Sequence, residues 1–275
     1  MSHTDRLILR GFGRTPRQGG GLNSQSWISV SSSLNAGSEH DAPIDHFSVL
    51  KELSERGGEF DVGAYTLGLF KQQVRRTFVE LGANDGNNSH TRVLEQRLHW
   101  RGSCIEASPP MFNQLQARRP LCLNVNAVVW RKRRNVTFRS FPHHSALHGH
   151  SGIVSLRSRQ AWSALLHAHP TGYTDQQVPG IPIRDLVLAG IVPRVVDWWV
   201  LDVEGAEMLL LQQFPWDTVT VRVWTIESNK IVGGRQVLHA MMRSRGYSCA
   251  DFDAINTCCT SCTDRLTRHS RSVCD

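Results

Sequence analysis

Apolar residues recur along the middle of this chain with two different periods, and the change of period predicts where strands and helices lie. Short apolar runs such as RTFVELG (76–82) and VVDWWVLDV (195–203) are typical of buried strands. NSHTRVLEQRLHW (88–100) instead places apolar residues at helical spacing. The same reasoning predicts further strands at 102–107, 121–129, 135–140, 178–183 and 219–228, and helices at 109–118, 184–189, 206–211 and 233–245.

Repeated strand–helix–strand units predict an α/β fold, with a mostly parallel sheet covered by helices on both faces. The loops after the strands then share one edge, where ligands bind in open α/β sheets. We expect the folded domain to span 46–255. A basic, Ser- and Gly-rich tail (1–45) is expected to be disordered, and a Cys-rich tail (256–275) is expected to follow the domain.

A polar segment, 140–177, interrupts the alternation and carries six of the thirteen histidines: His143, His144, His148, His150, His167 and His169. Loops of this length in a compact domain are usually functional or disordered. One of these histidines could serve as a base, because imidazole titrates near neutral pH. The sequence does not single one out.

Composition narrows the function classes. The 275 residues are 40% hydrophobic, enough for one large core, and no run reaches the ~18 apolar residues of a transmembrane helix. The basic start (1–38) fits an organelle transit peptide or a plain disordered tail, so localisation stays open. The net charge is +7, but the basic run RKRR (131–134) lacks interleaved aromatic residues, so we interpret it as an exposed turn and expect no nucleic-acid partner.

Seven cysteines exclude a complete set of intramolecular disulfides. Cys104 and Cys122 lie in apolar runs and are interpreted as small buried hydrophobic residues. Cys259 and Cys262 have the spacing of a zinc half-site, but a second pair is missing. A thiol-bearing tail or a disulfide is therefore favoured over zinc.

Acids and amides follow the ends of the predicted strands, and one of these ends carries a glycine turn, FVELGANDG (78–86). A dinucleotide site needs G-x-G-x-x-G, and here Asn84 replaces the middle glycine. Glu80 and Asp85 would also repel phosphates, at about 4 kcal/mol for each contact near ~4 Å. The residues at these strand ends are Glu80, Gly82, Glu106, Asn126, Asp202, Glu204 and Glu227.

S-adenosylmethionine suits this row of acids and amides better than a dinucleotide does, because it has no phosphate and carries a cationic sulfonium and ammonium. Glu106, at the end of the second strand, stands where a carboxylate can accept from both ribose hydroxyls. Asn126 ends the third strand, where the adenine would lie. The turn itself, with Gly82, Asp85 and Gly86, lets the backbone approach the ligand.

FVELGANDG, WRGSCIEASPPMFNQL, LDVEGAE and TIESN occur in this order, and from about residue 58 to 251 the chain resembles the FkbM-type S-adenosylmethionine-dependent methyltransferases. The resemblance implies a Rossmann-like class I methyltransferase fold with seven strands, the last antiparallel. It implies O-methylation of a hydroxyl or carboxyl group on a small-molecule or glycan acceptor. By position, Glu80, Gly82, Asn84 and Gly86 match the cofactor loop, Glu106 the ribose acid, and Asp202 and Glu204 the active-site acids.

Asp202 and Glu204 lie two residues apart at a strand end, so their side chains should point the same way. One of them can act as a base, or the pair can hold a metal with a further ligand; a carboxylate pair alone does not specify a metal, and none is predicted. Alternatively, Glu204 caps the next helix and Asp202 shapes the pocket. Two other functions stay open: a catalytically inactive cofactor-binding module, and a nicotinamide oxidoreductase, which the missing glycine disfavours.

Overall fold

The structure of the protein is a computed structural model that describes residues 30–31, 61–70, 75–142, 150–168 and 172–263. Most of the tail predicted at 1–45 lies outside these ranges, but Val30–Ser31 forms a short strand, β1. None of the helices in the described ranges is both long enough and apolar enough to span a bilayer.

The elements follow the predicted alternation, and the structure gives their bounds. The helices are α1 Asp61–Leu69, α2 Arg92–Leu98, α3 Pro109–Arg118, α4 Arg159–Ala168, α5 Ile183–Leu188, α6 Glu207–Gln212 and α7 Arg235–Ser244. The strands after β1 are β2 Thr77–Leu81, β3 Arg101–Glu106, β4 Leu123–Asn126, β5 Val128–Val129, β6 Arg134–Ser140, β7 Gly152–Ile153, β8 Thr174–Ile181, β9 Val195–Leu201, β10 Thr220–Glu227, β11 Tyr247–Asp251 and β12 Asn256–Ser261. A 3-10 turn covers Val154–Leu156.

The main sheet has the strand order β1-β4-β3-β2-β9-β10-β12-β11. The strands β4, β3, β2, β9 and β10 run parallel, whereas β12 is antiparallel to both of its neighbours. The expected seven-stranded, mostly parallel sheet with an antiparallel last strand is therefore confirmed. The two residues of β1 add an antiparallel edge beside β4. Because β2 and β9 are adjacent, their carboxyl ends and the loops after them meet.

Helices cover both faces of the main sheet, as expected. On one face, α1, α2 and α3 pack Leu67, Leu94 and Leu115 into a core that includes Trp198. On the other face, residues of α5, α6 and α7 pack into a core that includes Trp199. The two adjacent tryptophans are almost fully buried on opposite sides of β9, which is the alternation that a strand imposes.

A second sheet interrupts the alternation, with the order β5-β8-β6-β7. The sequence predicts one strand over 121–129, but the chain leaves the main sheet at Ala127, and β5 pairs with β8 instead. A two-residue strand has too few residues to show a period of its own, so periodicity does not reveal the break. Within 140–177, the described residues form β7, the 3-10 turn, α4 and the start of β8.

The boundary predicted at residue 255 is wrong, because Asn256–Ser261 is strand β12 inside the main sheet. Cys258 and Cys259 are buried there. Cys249 and Cys259 face each other on β11 and β12 and form a disulfide, and Cys262 is also disulfide-bonded. A zinc site at Cys259 and Cys262 is contradicted, because zinc needs free thiolates.

Candidate active site

A cavity opens at the carboxyl ends of β2, β3 and β9 and is closed on one side by the second sheet. Five predicted site residues line it: Gly82, Asn84, Glu106, Asp202 and Glu204. The second sheet adds apolar wall residues that the sequence did not indicate, including Val128, Phe138 and Ile153. The charged side chains among the described lining residues are all acidic. The ionisable groups that line the cavity are therefore acids.

Gly82 allows the loop after β2 to press against the end of β9. Its backbone has φ +86°, and a Cβ atom there would lie 1.8 Å from the carbonyl oxygen of Asp202. No side chain fits in this space. The close approach brings the glycine turn and the LDVEG turn to the same cavity.

Glu106 is buried, and both of its carboxylate oxygens accept backbone hydrogen bonds. The Asn84 amide donates to Oε2 at 2.8 Å, and the Ser108 amide donates to Oε1 at 2.6 Å. Burial raises the pKa of Glu106 to about 7, against the lowering effect of these two donors. Each oxygen keeps a further lone pair for a ligand hydroxyl.

Glu80 does not line the cavity. Its carboxylate accepts hydrogen bonds from the Ser89 hydroxyl, the His90 amide and the Thr91 hydroxyl at 2.6–2.9 Å. Arg119 Nη1 lies 3.7 Å from Glu80 Oε2 and also contacts Ser89. The structure therefore gives Glu80 a supporting position behind the glycine turn (82–86).

Three further predicted residues shape the loops beside the cavity. Asp85 accepts from the amides of Asn87 and Asn88 at 2.9 and 3.2 Å and pairs with Arg118. Gly86 makes room for α3, since a Cβ atom there would lie 2.9 Å from a methyl carbon of Leu115. Asn126 Nδ2 donates to the carbonyl oxygens of Glu106 and Ala107 at 2.8 and 3.1 Å, and so fixes the loop that follows Glu106.

Asp202, Glu204 and Glu227 come together at the ends of β9 and β10, and one carboxylate oxygen of each lies within 4.8 Å of the others. Glu204 has φ +59°, a left-handed conformation that is uncommon for a residue with a side chain. Glu207 carries the hydrogen bonds of this turn, because its carboxylate accepts from the amides of Val203 and Gly205. Glu204 is therefore free of the capping role.

Lys230, in the loop after β10, contacts two of these acids. Its ammonium binds Glu204 Oε2 and lies 2.7 Å from Glu227 Oε1. Arg157 Nη2 is 3.9 Å from the same oxygen of Glu204. Burial and the nearby Glu227 carboxylate raise the pKa of Glu204 to about 7, opposed by Lys230 and Arg157. Burial, Glu227 and Glu204 raise the pKa of Asp202 well above its usual range.

The described histidines of the polar segment do not line the cavity. His150 uses its carbonyl oxygen to accept from Arg157 Nη1 at 2.9 Å, and His167 is exposed on α4. His143, His144, His148 and His169 lie outside the described residues.

The model of the family described as "Methyltransferase FkbM domain" matches residues 80–253. The chain belongs to this FkbM methyltransferase family. No curated protein matches the chain. Similar solved structures include the METTL16 MTase domain, with 10% sequence identity and a TM-score of 0.41 over 73% of this chain and 66% of that chain. Another is the O-methyltransferase from Bacillus cereus in complex with SAH, with 11% identity and a TM-score of 0.41 over 80% of this chain and 94% of that chain. A third is the precorrin-6y C5,15-methyltransferase from Geobacter metallireducens GS-15, with 9% identity and a TM-score of 0.39 over 74% of this chain and 90% of that chain.

The methyl donor of this FkbM methyltransferase is S-adenosylmethionine, and the cavity suits that group chemically. Glu106 offers carboxylate oxygens to a diol, and Met111 and Val128 give apolar walls to a base. The acidic lining favours the donor's two cationic groups and would repel a phosphate. The oxidoreductase alternative is contradicted by the family.

The residues that the sequence did not identify come from outside the strand-end motifs. Val128, Phe138 and Ile153 belong to the second sheet, and Lys230 lies three residues after the end of β10. TIESN, the last motif of the resemblance, ends at Asn229, one residue before Lys230. This proximity was the signal that could have pointed to Lys230.

Proposed function

We propose that this FkbM methyltransferase transfers a methyl group to a hydroxyl oxygen of a small molecule or glycan. The observation that carries the proposal is that a buried carboxyl group, Glu106, and a partly exposed acid of raised pKa, Glu204, line one cavity. The first suits the ribose of the donor, and the second suits removal of a proton from the acceptor.

On the donor side, the residues that would hold S-adenosylmethionine are Gly82, Asn84 and Glu106. The bound donor supplies an electrophilic methyl carbon on a sulfonium. The carboxylate of Glu106 would accept from ribose hydroxyls, while its bonds to the Asn84 and Ser108 amides keep it oriented. Fixing the reacting groups in this way is how an enzyme lowers the barrier of an in-line transfer.

On the acceptor side, Glu204 is the proposed general base, with about a fifth of its side chain exposed. Its pKa near 7 lets it hold the acceptor proton at neutral pH. Asp202 lines the same cavity beside Glu204, and burial together with the neighbouring acids raises its pKa well above the usual range. The cluster also favours a hydroxyl over a carboxyl acceptor, because an ionised carboxylate would meet three carboxyl groups.

The experiment that tests this function measures transfer of radiolabelled methyl from S-adenosylmethionine to a panel of monosaccharides, alcohols and carboxylic acids. We expect labelled product and S-adenosylhomocysteine release with a hydroxyl acceptor. Binding of S-adenosylhomocysteine without turnover on any member of a broad panel would favour the catalytically inactive module instead.

Replacing Glu106 with alanine should weaken S-adenosylhomocysteine binding about 10- to 150-fold, the equivalent of the ~1.5–3 kcal/mol carried by hydrogen bonds to a charged acceptor. Calorimetric titration measures the change. Glu106→Gln keeps the size and one acceptor oxygen, so its loss should be smaller. The control is Asp217→Ala, which removes an exposed carboxylate paired with Arg184. A Glu106→Ala affinity equal to that of the control would refute the ribose role.

The pH profile of turnover should show a limb that reports Glu204. The base must be ionised, and its pKa is about 7, so turnover at saturating donor should rise with pH through that value. Below it, the rate should fall about tenfold per pH unit. Saturating donor keeps the titration of Glu106 out of the profile. A rate independent of pH between 5.5 and 8.5 would contradict the assignment.

A further inference from the structure

The acids at the ends of β9 and β10 have the arrangement of a cation site, and the structure places a cation of the protein's own there. Asp202, Glu204 and Glu227 bring one oxygen each to within 4.8 Å of one another. We propose that the Lys230 ammonium is the fixed cation of the acceptor site and a positioning residue of methyl transfer, holding the carboxyl groups of Glu204 and Glu227 in place. The inference rests on the hydroxyl methylation proposed above.

The contacts of Lys230 leave part of the cluster open. The ammonium bonds Oε2 of Glu204 and Oε1 of Glu227. The other oxygen of Glu227 is buried, and no N–H or hydroxyl donor of the described residues bonds to it, although the Glu227 carboxyl group interacts with that of Asp202. Lys230 therefore holds one oxygen of each glutamate. The second oxygen of each is thereby oriented, but Lys230 does not occupy it.

The charges around the cluster make Lys230 its principal counter-ion. Glu207 adds a fourth carboxyl group from α6. Arg157 approaches only to 3.9 Å, and it also lies over the Trp162 ring at 4.8 Å and donates to the His150 carbonyl. Lys230 lies at hydrogen-bond distance of two carboxylates and is only a quarter exposed. Burial opposes its charge, but Glu204 and Glu227 raise the pKa of Lys230, so it stays protonated.

A fixed ammonium has a consequence for added cations. Like charge would repel a divalent ion from the three carboxylates while Lys230 is in place. When the ammonium is removed, the same carboxylates offer hard oxygen ligands to such an ion. The response to a probe metal therefore reports whether Lys230 is the cation of this cluster.

The first experiment titrates Mn²⁺ into the wild type and into Lys230→Met, which keeps much of the aliphatic side chain, with free Mn²⁺ followed by electron paramagnetic resonance. We expect Lys230→Met to bind one Mn²⁺ at least about tenfold more tightly than the wild type. Adding Asp202→Asn to that variant should remove the gain. The control is Lys132→Met, which removes an exposed charge in the turn before β6. Equal Mn²⁺ binding by the wild type and Lys230→Met, or none by the variant, overturns the proposal.

The second experiment uses the acceptor found with the panel. Lys230→Met should lower turnover at neutral pH and move the acidic limb of the pH profile upward, because Glu204 loses a stabilising positive charge. Lys230→Arg should restore part of the rate, and added methylammonium should partly rescue Lys230→Met. A lower rate with an unmoved limb and no rescue would show a merely structural role and overturn the inference.

The two proposals fail in different ways. If the wild type transfers no methyl group to any acceptor, the proposal of hydroxyl methylation fails. The Mn²⁺ experiment then still tests whether Lys230 is the cation of the cluster, because it needs no turnover. If the wild type is active and Lys230→Met keeps the wild-type rate and pH profile, only the inference about Lys230 fails. S-adenosylhomocysteine binding by each variant serves as the check that the fold is intact.

Discussion

Replacing Glu204 with glutamine should lower turnover by about 10²- to 10⁴-fold, the usual contribution of a positioned general base. Glutamine keeps the size of the side chain but cannot take a proton from the acceptor hydroxyl. The affinity for S-adenosylhomocysteine should stay close to that of the wild type, because Glu106 and Asn84 are unchanged. Steady-state kinetics at saturating donor, beside calorimetric titration, measures both quantities.

The pH profile separates a base from a residue that only shapes the acceptor pocket. In Glu204→Gln, the residual activity should lose the limb near pH 7. Asp202→Asn should also lower turnover more than donor affinity, and it should keep the limb, because Glu204 is still present. A Glu204→Gln enzyme with near wild-type turnover would reject Glu204 as the base. Equal losses of turnover and affinity in Asp202→Asn would give Asp202 a pocket role.

Replacing Arg119 with methionine should destabilise the fold by about 3–5 kcal/mol, the range for breaking a buried ionic network by removing one partner. The Arg119 guanidinium is fully buried and contacts Glu95, Ser89 and Thr91, with Glu80 at 3.7 Å. Methionine would leave the two glutamates buried without a counter-ion. Urea unfolding, with the free energy extrapolated to water, measures the change.

The neighbouring residue supplies a matched control for this prediction. Arg118 is 42% exposed on its side chain and pairs with Asp85, so Arg118→Met should cost only about 0–1 kcal/mol. Adding Glu95→Gln to Arg119→Met should recover part of the lost stability, because one unpaired charge is then removed. Equal losses in the two single variants would show that the buried network contributes little.

Most of the main sheet was predictable from the sequence, because long apolar runs such as 195–203 have few alternative structures. The run keeps β9 buried on both sides, with Trp198 and Trp199 in separate cores. The strand-end glycines and acids then indicated which edge holds the site. The FkbM resemblance implied seven strands with an antiparallel last strand, which periodicity does not reveal.

The second sheet and the end of the domain depended on pairing between distant segments. Val128 and Val129 continue the apolar run of β4, so nothing local shows that they pair with Gly180 and Ile181. Cys258 and Cys259 indicated a tail by composition, but they serve as buried strand residues between β10 and β11. Long-range pairing overrides the local signal in both cases.

Within the candidate site, the sequence indicated acids at the strand ends but could not assign the directions of their side chains. Glu80 precedes the glycine turn, yet its side chain points to Ser89 and Thr91 behind the loop. Glu106 also ends a strand, and its side chain reaches the cavity. Arg119 brings a buried positive charge to within 3.7 Å of Glu80 Oε2. A partner so far along the chain leaves no mark in the local motif.

We propose that the acidic cavity holds the adenosine of a donor without phosphate beside an acceptor base. Calorimetric titration of the wild-type protein with S-adenosylhomocysteine and, separately, with NAD⁺ under the same conditions tests it most directly. The structure predicts one bound S-adenosylhomocysteine per chain and no measurable binding of NAD⁺, because Glu106, Asp202 and Glu204 leave a pyrophosphate without a positive partner among the described lining residues. Binding of NAD⁺ with no binding of S-adenosylhomocysteine would contradict this assignment of the cavity.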